Sequence, residues 1–226
     1  MASETHSIGI DRYLPHEFDT FLNLYVDLFY GREPLTTCIG FDKEQMIFIT
    51  QHLYAGENNL LSQGLCWIAR DRSQGDRPVG IIVCDDPVVA GELQVPENLT
   101  RQELERISVA TGLLEEIGRP MKEMFELGEG SCLHVAAVGV APEYGGMGIA
   151  KGLLQTALSE AGARGFRYAF AECTSPASRM LFEKGGFTRI HSVSVSTFEM
   201  HGRRPLPDCD LEIHLMQKVL IEGKDC

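Results

Sequence analysis

The chain has 226 residues, of which 44% are hydrophobic and 23% charged, a balance that is ordinary for a globular protein and sufficient for one substantial core. Its formal net charge of −12 and the lack of a basic patch argue against a nucleic-acid partner, because phosphate backbones are bound by clustered Lys and Arg. No apolar run approaches the roughly 20 residues of a membrane span, so we expect no membrane partner either.

The cysteines and the first residues indicate the compartment. The N-terminus lacks the basic-then-apolar layout of a signal peptide, which predicts a cytoplasmic protein. The sequence pattern does not require more than a single domain over 1–226. The seven cysteines form no C-x-x-C pair and no zinc layout with the seven histidines, so we predict no metal site. Most are expected to be reduced thiols, and Cys66, Cys84, Cys132 and Cys173 lie in strand-like runs where cysteine acts as a small apolar residue.

The first third of the chain mixes helical and strand-like patterns. Apolar spacing and turn residues predict, in chain order, a strand over 7–14, a helix over 15–29, a helical arm after Glu33-Pro34, a helix over 41–55, and a hairpin with strands over 66–70 and 79–84.

The segment from Asp85 to Gly130 changes character and is expected to be an insertion. It begins with a loop over 87–96 and continues with a helical pattern over 100–127 that we expect to break near 118–120, at Gly-Arg-Pro. This insertion could frame a substrate pocket, or its amphipathic helices could simply cover one face of a sheet. Asp85 and Asp86 could attract a cation, although paired acids after a strand are more often a solvated turn.

The rest of the chain alternates between strands and helices. The pattern predicts a strand over 132–140, a helix over 148–164, a strand over 168–172, a helix over 176–184, and strands near 187–198 and 211–217. This predicts an α/β fold with a twisted mixed sheet and helices on both faces. The first strand–helix–strand unit should be a right-handed crossover with parallel strands.

A glycine-rich turn links the strand over 132–140 to the helix that follows. The first N–H groups of a helix have no intrahelical partner, and the macrodipole adds a partial positive charge there, so an anion is favoured. Gly145, Gly146 and Gly148 would let a diphosphate approach the backbone without meeting a Cβ atom. The turn therefore predicts a nucleotide-like ligand.

Two nucleotide-binding classes fit this turn poorly. A P-loop needs Ser or Thr after its Lys, whereas Lys151 is followed by Gly152. An NAD-dependent oxidoreductase stays open, because Gly146, Gly148 and Gly152 approach G-x-G-x-x-G and Glu172 ends the next strand, where a ribose-binding acid could sit. Against it, a dinucleotide fingerprint normally belongs to the first βα turn of a long alternating series.

A third class matches two motifs in the expected order. The acetyl-CoA-binding motif of the GNAT superfamily of N-acetyltransferases resembles the run Val138-x-Val140-x-Pro142-Glu143-Tyr144-x-Gly146-x-Gly148-Ile149-Ala150. The next GNAT motif resembles Cys173-x-x-Pro176-x-Ser178-x-x-Leu181-Phe182-Glu183-Lys184-x-Gly186-Phe187, and with the neighbouring strands the resemblance covers roughly 131–218. In the N-terminal half, Arg32-Glu33-Pro34-Leu35 looks like the signature of the arylalkylamine (dopamine-type) branch from insects and their relatives, with Arg32 where Asp is common.

The resemblance implies a GNAT-like fold and acetyl-CoA as co-substrate. In such a fold the two central strands splay, and pantetheine lies in the gap and pairs with exposed backbone around Val138 and Val140. The residues that would bind the co-substrate are Val138, Gly139, Val140, Gly145, Gly146, Met147, Gly148, Ile149 and Ala150. Gly145 stands where GNAT proteins often have Arg or Gln, so one side-chain contact to phosphate is missing.

The implied activity is transfer of the acetyl group to a primary amine, a small arylalkylamine or a polyamine. The resemblance implies that Glu33 is the base that takes the proton of the amine. The alternative interpretation is that Glu33 is an ordinary solvated acid in the turn before Pro34. The departing CoA thiolate needs a proton, which many GNAT enzymes supply from a Tyr where this chain has Phe182. In the arylalkylamine branch two hydroxyl residues serve instead, and they map onto Thr174 and Ser178. Ser178 also lies in the first turn of a predicted helix, where it may only bond locally.

Two questions stay open at this point. The chain could be an acyl-CoA-binding sensor that has lost its chemistry, as Phe182 and Gly145 hint, and it could act as a monomer or a homodimer. The acceptor pocket is expected to come from 33–54, 85–130 and 200–210, whose sequences do not identify the amine.

Overall fold

The computed structural model describes residues 6–54, 60–90, 99–124 and 128–221. Parts of three predicted segments lie outside these residues: the end of the helix over 41–55, positions 91–96 of the loop over 87–96, and the end of the helix over 100–127.

The described residues form strands and helices close to the predicted positions. The strands are Ile8–Arg12 (β1), Trp67–Asp71 (β2), Arg77–Asp85 (β3), Cys132–Val140 (β4), Tyr168–Cys173 (β5), Thr188–Ser194 (β6) and Glu212–Val219 (β7). The α-helices are Phe18–Phe29 (α1), Pro34–Ile39 (α2), Lys43–Tyr54 (α3), Pro87–Ala90 (α4), Arg101–Met124 (α5), Ile149–Ala163 (α6) and Pro176–Lys184 (α7).

Two predictions for the insertion are wrong. The start of the predicted loop over 87–96 is the one-turn helix α4, in which the Asp86 carboxylate accepts a hydrogen bond from the N–H of Val88 at 2.9 Å. The predicted break near 118–120 is absent, because α5 runs through Pro120. Leu113, Ile117 and Met121 repeat every four residues across that point and are almost completely buried. Their burial keeps the helix continuous despite the proline, since each such side chain contributes about 1.5–3 kcal/mol.

The strands form one mixed sheet in the order β1-β2-β3-β4-β5-β7-β6. β4 and β5 are parallel, as the strand–helix–strand pattern predicts, and the other neighbouring pairs are antiparallel. One face packs against α6 and α7 through side chains such as Leu153 and Phe182. The other face packs against α5 near β5 and β7, and against α1 and α3 near β2 and β3. The predicted α/β class is therefore confirmed.

β4 and β5 diverge after a short paired stretch. Only Cys132–His134 of β4 pair with Tyr168–Phe170 of β5, although β4 continues to Val140 and β5 to Cys173. The register with β3 also shifts, because Val83 pairs with Ala137 whereas Cys84 pairs with Val135, so Ala136 is an extra residue in β4. Such bulges occur next to active sites, where they re-aim the backbone. The predicted splay is confirmed, and its opening is called the fork below.

The cysteines fall into two groups. Cys66, Cys84, Cys132 and Cys173 are buried and free, as predicted, and burial raises the pKa of the Cys66 thiol to about 12. A disulfide joins Cys38 of α2 to Cys209, a pairing that the sequence did not indicate. Among the described helices, none is long and apolar enough to cross a membrane.

Candidate active site

A cavity of about 640 Å³ lies against the fork. Its walls come from α1, α2, α3, α5, β4 and the start of α7. The cavity contains all three predicted catalytic residues, Glu33, Thr174 and Ser178, together with the strand residues from Val138 to Val140. Since most of the other lining side chains are apolar, polar groups in the cavity act in a partly dehydrated setting.

Glu33 is the N-cap of α2. Its carboxylate accepts hydrogen bonds from the N–H groups of Leu35 at 3.0 Å and Thr36 at 2.6 Å, and Pro34 occupies the first helical position. This arrangement follows from the sequence, because an acceptor side chain followed by Pro is well suited to begin a helix. The half-buried carboxylate is thus held in place at the cavity wall, unlike a solvated turn acid.

Thr174 connects Glu33 to the end of β5. Its hydroxyl donates a hydrogen bond of 2.6 Å to Oε1 of Glu33, across 141 positions of sequence. A carboxylate has about four acceptor positions, so the three donors from Leu35, Thr36 and Thr174 leave about one for a ligand. The structure therefore brings these two predicted residues together.

Ser178 lines the same cavity but bonds locally. Its hydroxyl donates to the carbonyl oxygen of Ser175 at 2.9 Å, and the hydroxyl of Ser175 accepts from the N–H of Ser178 at 3.0 Å. The N–H of Ser175 in turn donates to the hydroxyl oxygen of Ser178 at 3.2 Å, and the two N–H bonds together form a reciprocal cap at the start of α7, the local alternative that the sequence allowed. Phe182 is buried and packs edge-on against Phe187 with ring centroids 4.9 Å apart, so its position belongs to the core.

Val138 and Val140 direct main-chain groups into the fork. The N–H of Ala141 donates to the carbonyl of Val79 on the β3 side at 2.8 Å. Because main-chain groups alternate sides along a strand, those of Val138 and Val140 point the other way, toward β5. In the described residues β5 makes no pairs with this part of β4. This backbone is available to a ligand, as the resemblance implies.

Gly139 serves the packing of α1. A Cβ atom at this position would lie 3.0 Å from Cζ of Phe29 and 3.2 Å from Cδ1 of Leu28. A larger residue here would therefore push the side chains of Phe29 and Leu28 away from β4 by a few tenths of an ångström. Its main-chain groups face β3, so Gly139 contributes less to the fork than its two neighbours do.

The glycine-rich turn is exposed at the end of β4. Gly146 and Gly148 have φ angles of +77° and +78°, a conformation that favours glycine, and a Cβ atom at either would meet no atom of the described chain within 4 Å. Gly148 caps the fifteen-residue helix α6 without a side chain, so the N–H groups that follow it are open to an anion. The open turn suits an anion, and it consists of the residues expected to bind the co-substrate, Gly145, Gly146, Met147, Gly148, Ile149 and Ala150.

A buried carboxylate anchors the start of this turn. The hydroxyl of Tyr144 donates to Asp71 at 3.1 Å, and Asp71 also lies 2.6 Å from Nδ1 of His6. Burial alone raises the pKa of Asp71, but hydrogen bonds from Ser73, His6 and Tyr144 outweigh it and lower the pKa below its usual range. Sequence reasoning missed this anchor because Asp71 and Tyr144 are 73 positions apart.

A second cluster, Asp85–His134–Glu172, lies at the apex of the fork and was also missed. His134 is the last residue of β4 that pairs with β5, and its ring stacks on Phe170 at 4.7 Å between centroids. Nδ1 lies 2.9 Å from Asp85 and Nε2 lies 2.8 Å from Glu172. Burial by itself lowers the pKa of His134, but the charges and hydrogen bonds of Glu172 and Asp85 outweigh it and hold the pKa well above 6.5.

The cluster corrects two sequence expectations. Asp85 and Asp86 are each only 3% exposed, so they are not a solvated turn; Asp86 accepts from the N–H of Gly130 at 2.6 Å. Glu172, considered as a ribose-binding acid, is paired with His134. No local signal could have revealed the cluster, since its members come from three strands that only the fold brings together.

Comparison with known proteins supports one of the nucleotide-binding classes. The family model described as acetyltransferase (GNAT) family matches residues 40–187. Three solved structures share the fold. The C-terminal condensation domain of Ebony, in complex with beta-alanyl-dopamine, has a TM-score of 0.79 and 17% identity, over 95% of this chain and 100% of that chain.

The other two are named as N-acetyltransferases. A mosquito arylalkylamine N-acetyltransferase like 5b has a TM-score of 0.71 and 19% identity, over 94% of this chain and 100% of its own. A Drosophila melanogaster polyamine N-acetyltransferase that catalyses the formation of N-acetylagmatine has a TM-score of 0.69 and 18% identity, with the same coverage. The family match removes the NAD-dependent alternative.

Proposed function

Because the chain belongs to the GNAT family of acetyltransferases, whose members use acetyl-CoA, we propose that it acetylates the primary amine of a small arylalkylamine or polyamine. The observation that carries this proposal is the position of Glu33: its carboxylate is fixed by α2 and Thr174 and faces the cavity that also contains the open edge of β4. The names of two structural neighbours, an arylalkylamine and a polyamine N-acetyltransferase, support the acceptor class.

The donor side is supported by main-chain groups. When bound, acetyl-CoA supplies an activated acetyl group. The residues that would hold it are Val138 and Val140, through backbone facing the fork, and the turn from Gly145 to Ala150, through N–H groups at the start of α6. The absence of Arg or Gln at Gly145 lowers affinity for the diphosphate without removing this backbone cradle.

Glu33 performs the proton transfer in this proposal. An alkylamine has a pKa of about 10.4 if it resembles lysine, so near neutral pH it is mostly ammonium and cannot act as a nucleophile. The remaining acceptor position of Glu33 binds the ammonium and takes its proton, directly or through water. The new C–N bond replaces the C–S bond of the thioester, so the reaction balances when the proton of the amine ends on the departing coenzyme A sulfur. Thr174, whose hydroxyl donates to Glu33, can relay it by giving its own proton to that sulfur while it accepts one from Glu33. Ser178 can donate a proton to the coenzyme A sulfur only after its hydroxyl turns away from the carbonyl oxygen of Ser175.

The test is product formation. The purified chain is incubated with acetyl-CoA and a panel of aryl- and polyamines, and release of free thiol is followed alongside mass spectrometry of the acetylated amine. We expect release well above the spontaneous rate with at least one amine. Tight coenzyme A binding without turnover for every amine would instead indicate an acyl-CoA sensor.

We further propose that the enzyme works in the cytoplasm as a monomer or homodimer. The four buried free thiols are compatible with a reducing compartment, and because a disulfide such as Cys38–Cys209 is rare there, the location needs a direct test. Cell fractionation and light scattering of the purified protein test the two parts separately. Recovery in a secreted fraction would contradict the location.

A further inference from the structure

The Asp85–His134–Glu172 cluster has no role in the proton transfer described above, yet it opens on the same cavity. His134 and Glu172 line the cavity, whereas Asp85 lies behind them, with a side chain only 4% exposed. A protonated His134 between two carboxylates gives the cluster a net charge of −1. Such a charge beside apolar walls calls for a partner, because an unsatisfied buried acceptor is costly.

One carboxylate oxygen of Glu172 is available to a ligand. Within the described part of the chain, the structure gives its carboxylate one hydrogen bond, from Nε2 of His134 to Oε2. Its side chain is 12% exposed, and that exposed part faces the cavity. Both ring nitrogens of His134 are engaged, so the ring fixes the orientation of Glu172 while Oε1 stays available.

The spacing relates this oxygen to the reacting amine. Glu172 lies two residues before Thr174, whose hydroxyl contacts Glu33. Two residues of extended chain span about 7 Å between their Cα atoms, and Glu33 and Glu172 both line the cavity, so we expect their carboxylates to be separated by a distance of this order. The same cavity is lined by apolar side chains from α3 and α5, among them Met46, Ile49, Ile107 and Leu114. An amine whose two polar ends are joined by a short aryl or alkyl spacer would reach both acids at such a separation.

We propose that Glu172 is a specificity-determining residue that binds a second hydrogen-bond donor at the end of the acceptor opposite its reacting amine. His134 and Asp85 are positioning residues that hold Glu172. This inference rests on the proposed function and deepens it, because it defines the acceptor as bifunctional: a primary amine joined through a short apolar spacer to a hydroxyl or a second amino group. A site built around such a donor disfavours an analogue that lacks it, since its own polar group is then left unpaired.

Matched pairs of acceptors test the proposal. One pair is 4-hydroxyphenylethylamine and 2-phenylethylamine, which differ by a hydroxyl; the other is 1,4-diaminobutane and butylamine, which differ by an amino group. In each pair the readout is the ratio of kcat/KM for the donor-bearing amine to that for the plain amine. We expect the wild-type ratio to reach about tenfold or more in at least one pair, the range of a hydrogen bond to a charged group.

Two variants and one control separate recognition from general damage. Glu172→Leu removes both charge and acceptor and should bring the ratio close to one, mainly through KM. Glu172→Gln keeps an acceptor without the charge, so it should abolish preference for the diamine and keep part of a preference for the phenol. The control, Glu183→Gln, removes the same charge from an exposed acid on α7 and should leave both ratios unchanged. Circular dichroism checks that each variant is folded.

The outcomes distinguish this proposal from the proposed function. If the wild type acetylates amines but Glu172→Leu changes both members of each pair equally, the inference is overturned and the function stands. If the wild type acetylates none of them, the function fails, and calorimetric binding of the same four amines decides the inference. If Glu172→Leu loses affinity only for the donor-bearing amine of a pair, the inference is supported. If the variant loses affinity equally for both members of each pair, the inference is overturned.

Discussion

The two sides of the cavity are built in different ways. The donor side is one continuous stretch, β4, the glycine-rich turn and the start of α6, and it presents mainly backbone groups. The acceptor side presents side chains from α1, α2, α3, α5 and the ends of β4 and β5. Under the proposed function, the backbone groups would recognise a feature shared by all CoA thioesters, whereas side chains from distant segments can change one at a time. The first side therefore suits a fixed donor and the second a variable acceptor.

The largest expected effect tests the donor side. Gly148→Trp should weaken coenzyme A binding by more than about 100-fold, because φ of +78° is strained for any side chain and the indole would occupy the anion site. Binding is measured by calorimetry. The matched control is Gly162→Trp on the same helix, where a Cβ atom meets nothing within 4 Å of the described chain and φ is not positive. Normal binding by Gly148→Trp would show that the donor site lies elsewhere.

Glu33 tests the acceptor side without disturbing the donor side. Glu33→Gln should lower kcat by about 10²- to 10⁴-fold, the usual effect of losing a proton-transfer group, while coenzyme A affinity stays nearly unchanged. The amide oxygen can still accept a bond from α2, so folding should be retained. Glu44→Gln, at an exposed acid in the first turn of α3, serves as the control. Equal turnover in the two variants would remove Glu33 from the mechanism.

Substitutions of the hydroxyl residues Thr174 and Ser178 distinguish a catalytic role from helix capping. Thr174→Val and Ser178→Ala should each lower turnover by more than about tenfold with little change in coenzyme A affinity. Ser178→Ala should also lower stability by about 0.5–1.5 kcal/mol, because the N–H of Ser175 loses its acceptor in the reciprocal cap of α7, whereas Thr174 bonds to Glu33 and not within that cap. Turnover and urea unfolding are measured on both. A Ser178→Ala variant that loses stability but keeps its turnover would make Ser178 a capping residue only.

The same contrast explains how far the sequence could be interpreted. The strand predicted over 132–140 is β4, and the helix predicted over 148–164 differs from α6 by one residue at each end, because a local pattern determines each of them. The break predicted near Pro120 is wrong because burial of α5 against the sheet outweighs the local cost of proline.

Long-range pairing accounts for what the sequence could not supply. Glu33 was a candidate from its motif, but its bond to Thr174 depends on a contact across 141 positions. Asp85 looked like part of a solvated turn until β3, β4 and β5 placed it next to His134. Residues that the fold brings into contact on this side of the cavity are separated in the chain, so no spacing rule identifies them.

The smallest expected effect concerns the stability that the cluster at the apex of the fork gives to the sheet. The pKa of His134 is raised in the folded state, so its ion pairs stabilise the fold fully below about pH 6.5, the value expected of an unfolded histidine. This contribution declines as pH rises from there through the folded pKa, by at most about 1.4 kcal/mol per pH unit. The measurement is urea unfolding of the wild type and His134→Gln between pH 6 and 9, a range that begins near the pKa of an unfolded histidine, where the loss sets in. The difference between them should be largest at the acid end and shrink as pH rises. A difference that stays constant across this range would mean that His134 is not held as a cation, and the net charge assigned to the acceptor side would then be wrong.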